Sequence, residues 1–182
     1  MQAKLRMPRP TGKYAGAVRR DMLEWGFTLV DTPRFFDKDL FLRLGKNRTV
    51  LPVHSKRWAN LPQLARYVGW LECLLGQALP EECLGLTSLE FRYEPGGSND
   101  PETDRLHADG SYLRSVCTLF GLTTLYRVED AERSVPSGQT LLMTAQGRTR
   151  AVGLPCTLHR RPAAGPERAV LVCSFEPRSE QS

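Results

Sequence analysis

The chain has 182 residues, of which 41% are hydrophobic and 25% charged. This is the composition of one globular domain, and it excludes wholesale disorder, collagen-like repeats and coiled coil. The longest apolar runs, Leu141-Leu142-Met143 and Ala169 to Cys173, fall far short of a membrane span, and Met1 to Pro8 lacks the apolar stretch of a secretory signal, so a cytoplasmic protein without membrane contact is expected. The net charge of +5 is carried mostly by arginine. No aromatic stripe interleaves those cations, and nucleic acid is not the expected partner. The cations that precede Asp21 (Lys4, Arg6, Arg9, Lys13, Arg19 and Arg20) read as a solvated terminus. Five cysteines without C-x-x-C spacing read as reduced thiols, neither a disulfide framework nor a zinc ribbon.

In chain order, residues 1–13 form an irregular lead-in, broken by Pro8, Pro10 and Gly12. Residues 14–85 form a helix-rich support, and residues 86–177 a β-rich core, together one α+β domain. Thr11 is placed to cap a helix over Tyr14 to Trp25, with Ala17, Met22 and Trp25 along one flank. Gly26 closes it, and Phe27 to Val30 reads as a strand. A stretch without clear periodicity runs to Arg57 and contains His54, read as a loop residue. A second helix is predicted from about Leu61 to Leu79, where Leu64, Tyr67, Val68, Leu71, Leu74 and Leu75 recur at three and four. Pro62 suits its first turn and Pro80 ends it.

After Gly85 the period changes to two. Ser88 to Tyr93 alternates, with Leu89, Phe91 and Tyr93 on one face and Glu90 and Arg92 on the other. A loop follows from Glu94 to Pro101. Short strands are then predicted at Leu106–Asp109, Arg114–Phe120, Thr123–Val128, Thr140–Ala145, Thr149–Leu154, Cys156–His159 and Arg168–Phe175. Turn residues separate several of them, which indicates an antiparallel sandwich or barrel.

His107-Ala-Asp109 concentrates the chemistry. On an extended strand, residues two apart share a side, so one imidazole and one carboxylate converge. His159, at the end of a later strand, supplies a third donor. Two histidines and one carboxylate on one face of a metal leave open positions, the pattern of non-haem Fe(II) oxygenases; zinc is the competing metal. An H-x-D triplet also arises by chance, and context decides.

That context is the run Leu89-Glu-Phe-Arg-Tyr-Glu-Pro-Gly-Gly97, then His107-Ala-Asp109, then Arg114 with an apolar strand. It continues through Pro136-Ser-Gly-Gln-Thr-Leu-Leu142 and ends in His159-Arg-Arg-Pro-Ala-Ala-Gly-Pro-Glu-Arg168 and the strand to Phe175. The run resembles the 2-oxoglutarate/Fe(II)-dependent dioxygenases, in which a strand ending R-Y-x-P-G leads to H-x-D and, later, to a distal histidine, a glycine turn and an arginine strand. The resemblance implies a double-stranded β-helix, a jelly-roll or cupin-like barrel, with N-terminal helices packed on one sheet. It implies Fe(II) held by His107, Asp109 and His159, with 2-oxoglutarate as cosubstrate, O2 as oxidant and ascorbate as reductant in vitro. Arg168 would hold the distal carboxylate, since a hairpin through Pro162, Gly165 and Pro166 brings it near His159; Arg161 is its rival, while Arg160 faces away. Tyr93 is a candidate hydrogen-bond donor to the cosubstrate, and Arg114 a candidate contact for an anionic substrate. Asp109 disfavours halogenation.

The activity implied is hydroxylation with conversion of 2-oxoglutarate to succinate and CO2. A small polar metabolite, such as an amino acid or derivative, is the first expectation for the substrate. A protein or peptide hydroxylase is the second, and a nucleic-acid demethylase the third. Readings of other classes are a non-enzymatic cupin-like binding module and a cupin-like metal enzyme that works without 2-oxoglutarate. The oligomeric state is not legible.

Overall fold

The 3.6-residue periodicity that ends near Leu79 gives way to a period of two after Gly85, and there a 17-residue helix is followed by an 11-residue strand. The computed structural model describes residues 12–36, 40, 43–46, 49–51, 61–96, 104–162 and 165–178. Thr11, His54 and most of the lead-in therefore lie outside the described residues.

Helix α1 (Gly12–Glu24) buries Ala15, Val18 and Met22, spaced by three and four. The expected flank was Ala17, Met22 and Trp25, but Trp25 is exposed. The chain reverses at Gly26, whose φ is +72° and where a Cβ would lie 2.4 Å from the Pro155 carbonyl oxygen. Only glycine suits that left-handed, closely approached position. The reversal leaves Trp25 outside and starts strand β1 (Phe27–Asp31). Strand β2 (Thr49–Leu51) lies in the stretch that shows no periodicity. Helix α2 (Pro62–Ala78) buries every residue of the predicted stripe and Trp70 and Ala78 besides. Arg19 of α1 ties the two helices together by donating to the Ala78 carbonyl at 3.0 Å.

The strands that follow are β3 (Leu84–Glu94), β4 (Leu113–Phe120), β5 (Leu125–Val128), β6 (Ala131–Ser134), β7 (Gln139–Thr144), β8 (His159–Arg160) and β9 (Arg168–Pro177). Among the described residues they form a six-stranded sheet in the order β1-β7-β4-β9-β3-β2 and a three-stranded sheet in the order β6-β5-β8. Neighbouring strands in both are antiparallel. The large sheet is covered on both faces. Leu89, Phe91, Leu113, Leu142, Leu171 and Phe175 join the helices in the main core. Val116, Leu141, Met143, Val170 and Val172 form a second cluster with Tyr126 and Val135, which links the large sheet to the small one. Two-sided coverage explains why eight consecutive residues of β9 are buried. The fold is α+β, with the helices on one face of a two-sheet β core.

Two expectations are corrected and one strand is added. Thr149 to Leu154 is not a strand: Gln146–Val152 is a helix, α3, ended by Gly153 at φ 74°. Its sequence has no two-residue alternation, and its centre, Arg148, is buried against Glu82. Leu106–Asp109 shrinks to a single bridge at His107. Strand β6, fully exposed along its length, has no apolar face to announce it. No helix among the described residues is long and apolar enough to cross a membrane.

Candidate metal centre

The two histidines meet because their backbones pair. His107 and His159 form an antiparallel bridge, each donating its amide hydrogen to the other's carbonyl at 2.9 Å. Directly opposed residues point to the same side of a ladder, and the imidazole centroids lie 4.5 Å apart. Asp109 follows two residues later, and α3 pins its segment. The Gln146 amide donates to the Asp109 carbonyl at 2.9 Å, and Gln146 Nε2 donates to the Ala108 carbonyl at 3.1 Å. One donor atom from each of His107, Asp109 and His159 lies within 4.8 Å of the others.

The electrostatics fit a cation. His107 Nδ1 lies 2.9 Å from the Arg105 carbonyl oxygen. A carbonyl only accepts, so Nδ1 carries the proton and a neutral ring leaves Nε2 with a lone pair to offer. Burial lowers the His159 pKa to about 4, against the opposing pull of Asp109, so this imidazole is neutral at pH 7. Its Nε2 lies 3.2 Å from Asp109 Oδ2. Among the described residues Oδ2 is buried without a hydrogen-bond partner, while Oδ1 is held by Arg114 Nη1. A buried carboxylate oxygen without a hydrogen-bond donor, beside the neutral His159 imidazole and the Nε2 edge of His107, is the environment a divalent metal satisfies. Two nitrogens and one carboxylate oxygen suit a first-row metal, Fe(II) included.

Beside these donors lies a cleft between the sheets, lined among others by Arg92, Glu94, Arg114, Thr124, Arg161 and Arg168. Arg168 opens β9 with its side chain 7% exposed, Nε 3.0 Å from Glu94 Oε2 and Nη2 donating to Thr124 Oγ1 at 3.4 Å. Burial lowers the Arg168 pKa and Glu94 raises it. Arg161, equally buried, donates from Nε to Asp104 at 2.7 Å and lies 3.8 Å from Glu94. Arg160 binds Glu132 of β6 at 2.8 Å at the cleft's rim. Arg168 thus shares the cleft with the histidines, as expected, but not through a hairpin. His159 belongs to the small sheet and Arg168 to the large one, and they face each other across the gap.

Two site expectations need correction. Tyr93 is outside the cleft: it lies on the helix-facing side of β3, packs against Phe120 and donates its hydroxyl hydrogen to Glu167. The alternation of β3 separates the faces correctly, but the apolar face meets the helices, so Arg92 and Glu94 point into the cleft instead. Arg114 lines the cleft, yet its guanidinium is committed to Asp109 and, at 3.2 Å, to Ser174. It holds the Asp109 carboxylate in place. Glu94, Arg92, Thr124 and Gln146 are the site residues that sequence reasoning missed. For Arg92 and Glu94 the signal was present, as the polar face of β3.

No protein-family model and no curated protein matches this sequence. Solved structures do. A Pseudomonas putida prolyl-4-hydroxylase is 18% identical with a TM-score of 0.61, over 97% of this chain and 100% of that one. A Burkholderia pseudomallei oxidoreductase of the 2OG-Fe(II) oxygenase family is 14% identical with a TM-score of 0.60, over 96% and 94%. A Trichoplax adhaerens prolyl hydroxylase, solved with a hypoxia inducible factor oxygen degradation domain peptide, is 12% identical with a TM-score of 0.64, over 91% and 90%. The chain therefore has the fold of the 2-oxoglutarate/Fe(II) oxygenases, and the His107, Asp109 and His159 cluster lies within that fold.

Proposed function

We propose that the protein is an Fe(II)/2-oxoglutarate-dependent dioxygenase that hydroxylates a small polar metabolite such as an amino acid or derivative. The observation that carries this reading is the convergence of His107, Asp109 and His159 in the same cleft as the buried guanidinium of Arg168. A metal donor set and a carboxylate-binding group side by side match a metal-chelating 2-oxo acid with a second carboxylate. Neither a binding module nor a water-using metal enzyme needs that pairing.

When bound, Fe(II) with 2-oxoglutarate supplies activation of O2, converting the cosubstrate to succinate and CO2 and hydroxylating a substrate C–H bond. The chain's own residues do the positioning. His107, Asp109 and His159 hold the metal. The Arg105 carbonyl fixes the His107 tautomer, and Arg114 fixes the Asp109 carboxylate. Arg168, steadied by Thr124, takes the distal carboxylate of the cosubstrate. Val116, Val170 and Val172 give the cleft an apolar wall that limits water. The ion-paired arginines around it favour a polar substrate.

A second substrate reading, a prolyl residue in a peptide, is supported by the Pseudomonas putida and Trichoplax adhaerens enzymes, one of them solved with a peptide. With Fe(II), 2-oxoglutarate and ascorbate, the protein is expected to form succinate slowly without added substrate. His107→Ala and Asp109→Ala are expected to abolish it; persistent turnover in both overturns the assignment. Stimulation of succinate formation by free amino acids but not by proline-containing peptides separates the two substrate readings.

A further inference from the structure

We infer that Glu94 is an internal competitor for the cosubstrate's distal carboxylate, a latch that 2-oxoglutarate must displace from Arg168. This rests on the proposed dioxygenase function and adds a residue that sets cosubstrate affinity. Glu94 and Arg168 are direct cross-strand partners in the β3–β9 register, which places their side chains on the same face. Their ion pair is therefore imposed by the backbone pairing and is not an accident of two long side chains. At 3.0 Å, the Glu94 carboxylate sits where an incoming carboxylate has to bind.

Two further observations agree. The open volume in the cleft is about 30 Å³, room for roughly one water and too little for a dicarboxylate, so admission requires a side chain to move. Arg168 Nε and Nη1 are buried without a hydrogen-bond acceptor among the described residues. Glu94 thus neutralises the guanidinium without satisfying its donors, and a carboxylate seated on one edge of the fork, accepting from Nε with Nη2 or from Nη1 with Nη2, makes the better partner. Arg161, whose Nη1 lies 3.8 Å from the same Glu94 oxygen, receives the displaced carboxylate. The latch closes the cleft when no cosubstrate is present and opens by exchange between two cations.

Calorimetric titration of 2-oxoglutarate into the Mn(II)-loaded protein tests the latch without turnover. Glu94→Gln, which keeps the shape and removes the charge, is expected to tighten binding by at least about tenfold. Glu94→Asp, which retracts the carboxylate by one methylene, is expected to tighten it less, and it reads the same competition if Glu94→Gln loses its fold. Arg161→Gln is expected to weaken binding, because the displaced carboxylate loses the cation that would receive it. Unchanged or weaker binding in folded Glu94 variants overturns the latch while leaving the dioxygenase reading intact. Failure of every form, wild type included, to bind 2-oxoglutarate with Mn(II) in place overturns both.

Discussion

Arg148 is the largest fully buried side chain among the described residues, and its replacement by methionine tests how the site is supported. The guanidinium grips Glu82 through Nε at 3.1–3.2 Å and Nη2 at 2.6 Å, and its Nη1 donates to Thr144 Oγ1 at 2.9 Å and the Met22 carbonyl at 3.3 Å. One side chain thus joins α1, β7, α3 and the turn before β3. Arg148→Met fills similar space but strands the Glu82 carboxylate, whose side chain is 10% exposed. Breaking a buried pair from one side costs about 3–5 kcal/mol. For a chain of this size that lowers Tm by roughly 6–20 °C. Denaturant unfolding monitored by circular dichroism reads the loss. The double variant Arg148→Met/Glu82→Leu is expected to recover most of it, since no charge is then left buried alone. A single-variant cost below about 1 kcal/mol, or a double variant as unstable as the sum of the singles, refutes the clamp.

Further outcomes follow from the same geometry. His159 titrates at about 4 in the folded protein against 6.5 ordinarily, so it is protonated in the unfolded chain before the folded one. Its contribution is complete above pH 6.5 and is lost as pH falls towards 4, about 3 kcal/mol in the metal-free protein; His159→Gln should remove that part of the acid sensitivity in urea titrations across this range, and an unchanged pH profile contradicts the burial argument. Gly26→Ala forces a side chain into a left-handed backbone position against the Pro155 carbonyl and is expected to cost about 1–3 kcal/mol, read by thermal melting; a neutral effect refutes the constraint. Arg168→Ala is expected to raise the 2-oxoglutarate KM far more than Arg161→Ala does, and the reverse ranking moves the carboxylate site to Arg161.

How much of this was legible depended on whether the signal was local. The α2 stripe from Leu64 to Leu75 and the alternation of β3 are local periodicities, and both elements formed as read. The H-x-D triplet and Arg168 stand out through short spacing and the resemblance, and the triplet's side chains and Arg168 lie at the same cleft. Tyr93 went astray for a different reason. Alternation tells which residues share a face but not which layer that face meets, and here the apolar face of β3 met the helices. Arg148 illustrates a second limit: an arginine in a polar heptapeptide reads as surface, and only its pairing with Glu82, 66 positions away, buries it. The His107–His159 bridge is likewise a long-range pairing, so the meeting of the two rings could be expected while the ladder that produces it could not.

The central claim is that His107, Asp109 and His159 bind one ferrous ion that 2-oxoglutarate then chelates. The anaerobic visible spectrum of the protein with Fe(II) tests it most directly. Adding 2-oxoglutarate should produce a weak metal-to-ligand charge-transfer band that Asp109→Ala and His107→Ala both lack. A wild-type spectrum that stays featureless at saturating Fe(II) and 2-oxoglutarate, or an undiminished band in those variants, contradicts it.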